Sequence, residues 1–250
     1  MPDEIDRCNN TYGDLTVDED GCADCGYLET DDELRAWLEE LENEGDLDEF
    51  KASLDEHEAF IEEAITANPQ AKWKIVVWHY SIYSAAMHST DDQSEGIRYL
   101  FTPMLEDLDI DVVLMGHDHA YTKTYQMLGN EPQLDQMVTQ SGKVINPTGI
   151  LYLTASSSSG SKYYDLNCNI GDETSDSAVY YNYAAVYYED IPTFTYFDVD
   201  DNTLKFKTFS YSLVEEEESG TSEYVPVLID EYAMEKKPPR WKKGWWGWCR

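Results

Sequence analysis

The amino-acid sequence predicts an α/β fold built around a parallel sheet, and three observations predict it. Two short apolar runs rich in β-branched residues, Ile75-Val76-Val77-Trp78 and Val112-Val113-Leu114-Met115, have the composition of buried parallel strands. Residues at helical spacing precede each run, and this alternation of helix and strand is typical of a βαβ unit. The length of 250 residues is enough for one sizeable core.

Capping signals and periodicity predict the helices. Thr30-Asp31-Asp32-Glu33 has the spacing of a capping box and precedes an apolar helical face. Ser53-Leu54-Asp55-Glu56 repeats the device, so we expect a second helix to begin there and to end at Asn68-Pro69. Apolar residues at helical spacing over 97–108 predict a third helix, in which Pro103 is expected to cause a kink.

The second half of the chain has the character of strands and turns. Residues 149–155 are predicted to form a strand, and the serine-rich residues 156–161 a polar loop. Residues 193–199 and 204–211 are expected to form a hairpin around Asp200-Asp201-Asn202. The tyrosines crowded between residues 163 and 188 indicate ordinary packing of a half-buried surface.

Composition divides the chain into three parts and limits its partners. Residues 1–29 are predicted to be an irregular acidic lead, residues 30–235 the domain, and residues 236–250 a basic, tryptophan-rich tail. The net charge of −34 argues against nucleic acid as a partner, because phosphate contacts need clustered lysine and arginine. The tail has the composition of a membrane-interface segment, so weak surface contact is one interpretation. An irregular tail, or sequence left by an altered reading frame, is the alternative.

The chain shows no sign of membrane insertion or export. No stretch approaches the roughly 18 apolar residues of a membrane span, and the start Met1-Pro2-Asp3-Glu4 is not that of a signal peptide. Five cysteines leave their pairing open. Cys22 and Cys25 have the spacing of half a zinc site, and a disulfide or two ordinary thiols are the alternatives.

Three of the five histidines follow the two predicted parallel strands. His79 ends the first run, and His117 and His119 follow the second directly after Gly116. The carboxyl ends of parallel strands meet at one edge of a sheet, where open α/β sheets place their binding sites. Since neutral imidazole is the commonest metal ligand, these residues predict a metal site for zinc, iron or manganese. We expect Gly116 to permit the tight turn that presents the two rings.

A two-metal hydrolytic site also needs a bridging carboxylate, and the sequence offers none that convinces. Asp118 lies between two predicted ligands and is expected to point away from them. Asp109 and Asp111 precede their strand and therefore lie at the opposite edge of the sheet.

The strand motifs resemble those of a known family. Val76-Val77-Trp78-His79 fits the VxxH motif and Gly116-His117-Asp118-His119 the GHxH motif of the calcineurin-like metallophosphoesterases. The extension Ala120-Tyr121-Thr122-Lys123-Thr124-Tyr125 resembles the purple-acid-phosphatase-like branch, and the similarity covers roughly residues 55–235. The resemblance implies a sandwich of two mixed β-sheets flanked by helices and a dinuclear metal centre that hydrolyses phosphate esters. It also suggests an exported, extracellular enzyme.

The resemblance implies a role for each histidine. His79 and His117 would bind one metal ion and His119 the other, the ions being iron, zinc or manganese. His88 resembles the substrate-side catalytic histidine that contacts phosphate or protonates the leaving group, and an ordinary loop histidine is the alternative. Lys123 stands where many relatives have arginine, which would weaken a bidentate grip at that point.

The sequence departs from the family in its first half. The motifs that normally lie upstream, which carry the bridging aspartate and further ligands, have no counterpart in a suitable strand context. Gly13-Asp14 and Gly45-Asp46 imitate fragments of them without the preceding strand. We therefore expect a chain that lacks the N-terminal half of the fold. Two functions remain possible: a metal-dependent phosphoesterase, as a truncated chain, or an inactive remnant or binding module that keeps the fold.

Overall fold

A computed structural model describes residues 46–166, 183–215 and 222–237. Within these ranges the chain forms two α-helices, one short 3-10 helix at Met87–Thr90 and ten strands. The helices are α1 (Asp46–Ala67) and α2 (Asp92–Asp107). The strands are β1 (Ile75–Val77), β2 (Val112–Met115), β3 (Tyr121–Leu128), β4 (Glu131–Pro132), β5 (Val144–Ile145), β6 (Ile150–Thr154), β7 (Ala184–Tyr188), β8 (Thr193–Val199), β9 (Thr203–Glu215) and β10 (Ser222–Glu235).

The strands form two mixed sheets. The first has the order β1-β2-β6-β3-β4, with β7 also paired to β3. In it β1, β2 and β6 are parallel, whereas β3 runs antiparallel to β6. The second has the order β5-β10-β9-β8, and only its β5–β10 pair is parallel. The predicted parallel pair of strands before the histidines is therefore confirmed.

Two cores lie on opposite faces of the first sheet. Val113 and Tyr152 face the helices and pack with Ile61 of α1 and Phe101 of α2. The neighbouring residues Val112 and Leu151 face the second sheet and pack with its buried residues Leu204, Phe206 and Met234. This alternation follows from the two-residue period of a strand. The sandwich of two mixed sheets flanked by helices, which the family resemblance implied, is confirmed.

Strand β1 borders the first sheet within the described residues. It pairs with β2 on one side, from Ile75 opposite Val112 to Val77 opposite Leu114. Val77 is 79% exposed, an unusual exposure for valine in a parallel sheet. The next residue, Trp78, continues the ladder by donating its backbone N–H to the carbonyl of Leu114 at 2.8 Å.

The second predicted helix ends where expected but does not begin at Ser53. The helix already spans Asp46, so Ser53 is an interior residue. Its hydroxyl lies 3.4 Å from His57 Nδ1 one turn onward and does not cap the helix. At the other end, Asn68 donates its backbone N–H to the carbonyl of Ile65 and its side-chain amide to that of Ala64. The third helix includes Pro103, and strand β6 and the β8–β9 hairpin lie where the sequence predicted them.

Several sequence predictions lie outside the described residues. They are the irregular lead, the helix after Thr30, the cysteine pairing and most of the tryptophan-rich tail. Within the ranges that the structure describes, no helix is long and apolar enough to cross a membrane.

Candidate metal centre

The histidines gather where β1 and β2 end side by side. His79 follows β1 by two residues, and the turn that carries His117 and His119 follows β2. The backbone N–H of Gly116 donates to the carbonyl of His79 at 3.1 Å, which extends the parallel ladder by one contact. As a result, the imidazole rings of His79 and His117 lie with their centroids 5.2 Å apart.

The backbone of the turn is strained at His117. His117 has a φ of 67°, in the left-handed region that side chains other than glycine rarely adopt. Gly116, which was expected to permit the tight turn, does not have a positive φ, so the left-handed residue of the turn is His117. Ser81 Oγ donates to the Gly116 carbonyl and the backbone N–H of Asp118 donates to Ser81 Oγ at 3.3 Å, so Ser81 holds both sides of the turn. A strained residue held by its surroundings is common at functional sites.

His119 is oriented by the loop that follows β6. Its Nδ1 lies 2.9 Å from the backbone carbonyl of Lys162, which can only accept a hydrogen bond. Nδ1 must therefore carry the proton, and the lone pair of Nε2 is available to a metal ion. Ser156, also in this loop, donates its hydroxyl to the carbonyl of His119 at 3.1 Å.

His88 joins the cluster although it lies nine residues after His79. Its ring centroid is 4.6 Å from that of His117. The Asp91 carboxylate lies 2.6 Å from His88 Nδ1, and the backbone N–H of His88 donates to Asp118 Oδ1 at 3.2 Å. The residue predicted to face the substrate is thus next to a predicted metal ligand.

The aspartates lie where the sequence reasoning expected them. Asp118 is fully buried, and one of its carboxylate oxygens receives the His88 N–H, so it holds the His88 segment. Burial raises the pKa of the Asp118 carboxyl. Asp111 lies at the opposite edge of the sheet, where it accepts the backbone N–H of Lys74 and pairs with Lys236. Burial raises the pKa of Asp111 as well.

The described residues fit a metal ion only in part. Burial and the neighbouring His88 lower the pKa of His117, which favours the neutral imidazole that metals bind. However, among the residues that the structure describes, no three side chains of histidine, cysteine, aspartate or glutamate lie close enough to hold one ion. The described residues therefore bring histidines together without a carboxylate that completes a group of three possible ligands.

The sequence reasoning missed two residues of the cluster. The Tyr164 ring lies 5.0 Å from that of His88 and 4.9 Å from that of His119, centroid to centroid. Lys162 contacts His119 and Tyr164: its carbonyl accepts the hydrogen bond of His119 Nδ1, and its Nζ lies 2.5 Å from the Tyr164 hydroxyl. Tyr164 is half-buried, as predicted for these tyrosines, and the surface on which it packs is that of the two histidines. The only signal was position, since these residues follow the third parallel strand.

Lys123, in contrast, lies between the two sheets. Its Nζ is 2.7 Å from Asp230 Oδ1, and the Tyr121 hydroxyl donates to Asp230 Oδ2 at 2.7 Å. The Asp230 carboxylate thus accepts one hydrogen bond from Lys123 and one from Tyr121. An arginine at position 123 could supply both donors from one guanidinium group.

Comparison with known proteins agrees with the motifs. A sequence model of the calcineurin-like phosphoesterase family matches residues 3–121, just under half of the chain, and includes His79, His117 and His119. Purple acid phosphatase 4 of Arabidopsis thaliana is 44% identical over 50 residues, which are 20% of this chain and 14% of that protein. Over these segments the chain is therefore similar to calcineurin-like phosphoesterases and to a purple acid phosphatase, in agreement with its motifs. It spans only a small part of this relative's length.

Solved structures also resemble the chain at low identity. A purple acid phosphatase from yellow lupin (Lupinus luteus) seeds has a TM-score of 0.46 and 14% identity, and the match covers 71% of this chain and 28% of that one. PhoD has a TM-score of 0.42 and 11% identity, with 72% and 33% covered.

Proposed function

We propose that this chain is the histidine-bearing part of a metal-dependent phosphoesterase. The observation that carries the proposal is the cluster of three histidines around the ends of two neighbouring parallel strands, in which the rings of His79 and His88 are centred 5.2 and 4.6 Å from that of His117. His119 follows in the same turn as His117. His79 and His117 would bind one ion and His119 the other. When bound, two ions of iron, zinc or manganese polarise the phosphoryl group and acidify water.

His88 is proposed as the proton donor to the leaving group. Asp91 accepts a hydrogen bond from Nδ1, which fixes the ring and leaves Nε2 to face a substrate. Asp118 fixes the backbone of the same residue. Asp91 therefore holds the ring and Asp118 the backbone of His88. A general acid has to be held in this way, because proton transfer requires the donor within hydrogen-bond reach of the leaving oxygen.

Turnover of p-nitrophenyl phosphate tests the proposal. The chain is loaded with zinc, iron or manganese, and the rate is compared with that of His117→Ala. His57→Ala is the matched control, because His57 lies in α1 and binds the carbonyl of Ser53 with its Nδ1. We expect turnover that His117→Ala abolishes and His57→Ala leaves intact. Metal binding without turnover would contradict activity of this chain.

The alternative is a binding module that keeps the fold without the chemistry. The missing carboxylate side of the site, among the described residues, favours this alternative. Bound metal raises the stability of the folded state by mass action, so a chelator should lower the melting temperature of a metal-binding chain. Purified chain without metal, and with a melting temperature that a chelator does not change, would support the alternative.

A further inference from the structure

The loop after β6 contacts the histidine cluster through the backbone of Lys162 and the ring of Tyr164. Strand β6 is parallel to β2, so the loop begins at the sheet edge where the histidines lie. Ser156 and Lys162 bind the backbone and the ring of His119, which attaches the loop to the cluster at two points. The Tyr164 ring then packs against His88 and His119.

We propose that Lys162 Nζ, held by the Tyr164 hydroxyl, is a phosphate-binding group of this site. The inference rests on the proposed function and names the residues that would bind the phosphoryl group opposite the metal ligands. A substrate phosphate would lie between His88 and the loop, with Lys162 bound to one of its oxygens.

The chemistry of the two side chains supports this role. The ammonium group has three donors, and the Tyr164 hydroxyl uses one of them at 2.5 Å. Two donors therefore remain for phosphate oxygens. Lysine binds phosphate as a compact positive charge, and a hydrogen bond between ions is about twice as strong as a neutral one.

The charge of the chain makes a local cation important. With 51 acidic and 17 basic residues, the protein repels a phosphate dianion over most of its surface. The ammonium group of Lys162, bound to the tyrosine that packs on His88 and His119, would attract the dianion to the cluster.

The geometry allows the side chain and the backbone of Lys162 to be tested separately. Its carbonyl orients His119, whereas its ammonium group faces Tyr164. Lys162→Ala removes the charge and keeps the carbonyl. We therefore expect the variant to bind zinc as the wild type does and to bind inorganic phosphate about tenfold more weakly.

Isothermal titration of inorganic phosphate into the zinc-loaded full chain measures this effect. Lys162→Arg should restore most of the affinity, and Tyr164→Phe should lower it by a smaller factor because the ammonium group loses its anchor. Lys205→Ala is the matched control, since Lys205 pairs with Asp198 on the exposed β8–β9 hairpin. Zinc uptake is measured on each variant by equilibrium dialysis.

The outcomes separate this inference from the proposed function. Wild-type binding of phosphate that Lys162→Ala leaves unchanged overturns the inference alone. Loss of zinc together with phosphate in Lys162→Ala also overturns it, because the side chain would then support the fold of the site. A wild-type chain that binds no zinc or no phosphate contradicts the proposed function and the inference together.

Discussion

Replacing Lys123 by methionine tests the buried ion pair that joins the two sheets. Lys123 on β3 and Asp230 on β10 are 7% and 8% exposed at their side chains, and their charged atoms lie 2.7 Å apart. At an effective dielectric constant of about 20, two unit charges at this distance attract by roughly 6 kcal/mol. Burial of the ammonium group opposes this attraction and lowers the pKa of Lys123.

Methionine keeps the length of the side chain and leaves the Asp230 carboxylate with one donor, the Tyr121 hydroxyl. Breaking a buried pair in this way costs about 3–5 kcal/mol, and the remaining hydrogen bond indicates the lower end. We expect Lys123→Met to lower the free energy of unfolding by about 3 kcal/mol. Urea unfolding of the full chain at pH 7, followed by circular dichroism, measures the change.

Two comparisons make the result specific. Lys205→Met breaks an exposed ion pair of 3.3 Å and should cost less than about 0.5 kcal/mol. The double variant Lys123→Met/Asp230→Leu removes both buried charges and should be more stable than Lys123→Met alone. If Lys123→Met costs no more than Lys205→Met, the ion pair contributes nothing and the reasoning is refuted.

Three further predictions concern strain and buried hydroxyls. Gly149→Ala should lower the free energy of unfolding by more than about 2 kcal/mol, because a Cβ there would lie 2.4 Å from the carbonyl oxygen of Met127. Gly129 also has a positive φ but has open space around it, so Gly129→Ala should cost about 1 kcal/mol in the same urea assay. His117→Asn should leave the melting temperature unchanged or raise it, since asparagine tolerates the left-handed region, and should lower zinc affinity in dialysis; a lower melting temperature would count against strain at this residue. Tyr152→Phe should stabilise the fold by about 1 kcal/mol at pH 7, because its hydroxyl is buried without a hydrogen-bond partner among the described residues. Burial raises the pKa of Tyr152, so the unfolded chain loses this proton at a lower pH than the folded chain does. The free energy of unfolding should therefore fall above about pH 10, and the phenylalanine variant should reduce the slope of that fall by about 1.4 kcal/mol per pH unit. An equal slope in urea titrations of the two chains would refute the assignment.

The elements that could be predicted from the sequence are those whose own residues carry a local signal, such as an apolar run or a turn sequence. Strands β1, β2 and β6 have apolar runs, and the β8–β9 hairpin has a turn sequence at Asp200-Asp201-Asn202. Helix α1 was predicted to begin too late because Ser53-Leu54-Asp55-Glu56 has the form of a capping box inside a continuing helix. A local signal of this kind does not reveal whether the preceding turn is already helical.

Strand β3 was missed because four of its six buried residues are polar. Thr122, Lys123, Thr124 and Gln126 are all buried there, so the strand lacks the apolar pattern of a core element. Their partners lie far away in sequence: Lys123 binds Asp230, and Gln126 contacts Tyr232 and Met234. Burial of these groups depends on the second sheet, which no local window of sequence contains.

Strand β10 was missed for a different reason. It contains Pro226, which normally argues against a central strand. Pro226 pairs with Tyr211 of β9, and β5 pairs with β10 only at Met234 and Glu235. The proline therefore lies where the other edge of β10 is free within the described residues, and a missing N–H costs little there.

The candidate site was predictable in its histidines and not in its loop. Strand ends determine where His79, His117 and His119 lie, so their convergence follows from the parallel pair. Tyr164 reaches the cluster only through the path of the loop after β6, which depends on contacts such as that between the Lys162 carbonyl and His119.

Zinc binding by single histidine variants tests the central claim most directly. Equilibrium dialysis with metal analysis compares the full chain with His79→Ala, His117→Ala, His119→Ala and the control His57→Ala. We expect the wild-type and control chains to bind zinc and each of the three site variants to bind it at least about tenfold more weakly. Equal zinc binding by all five chains, or none by the wild type, would contradict a metal site at the ends of β1 and β2.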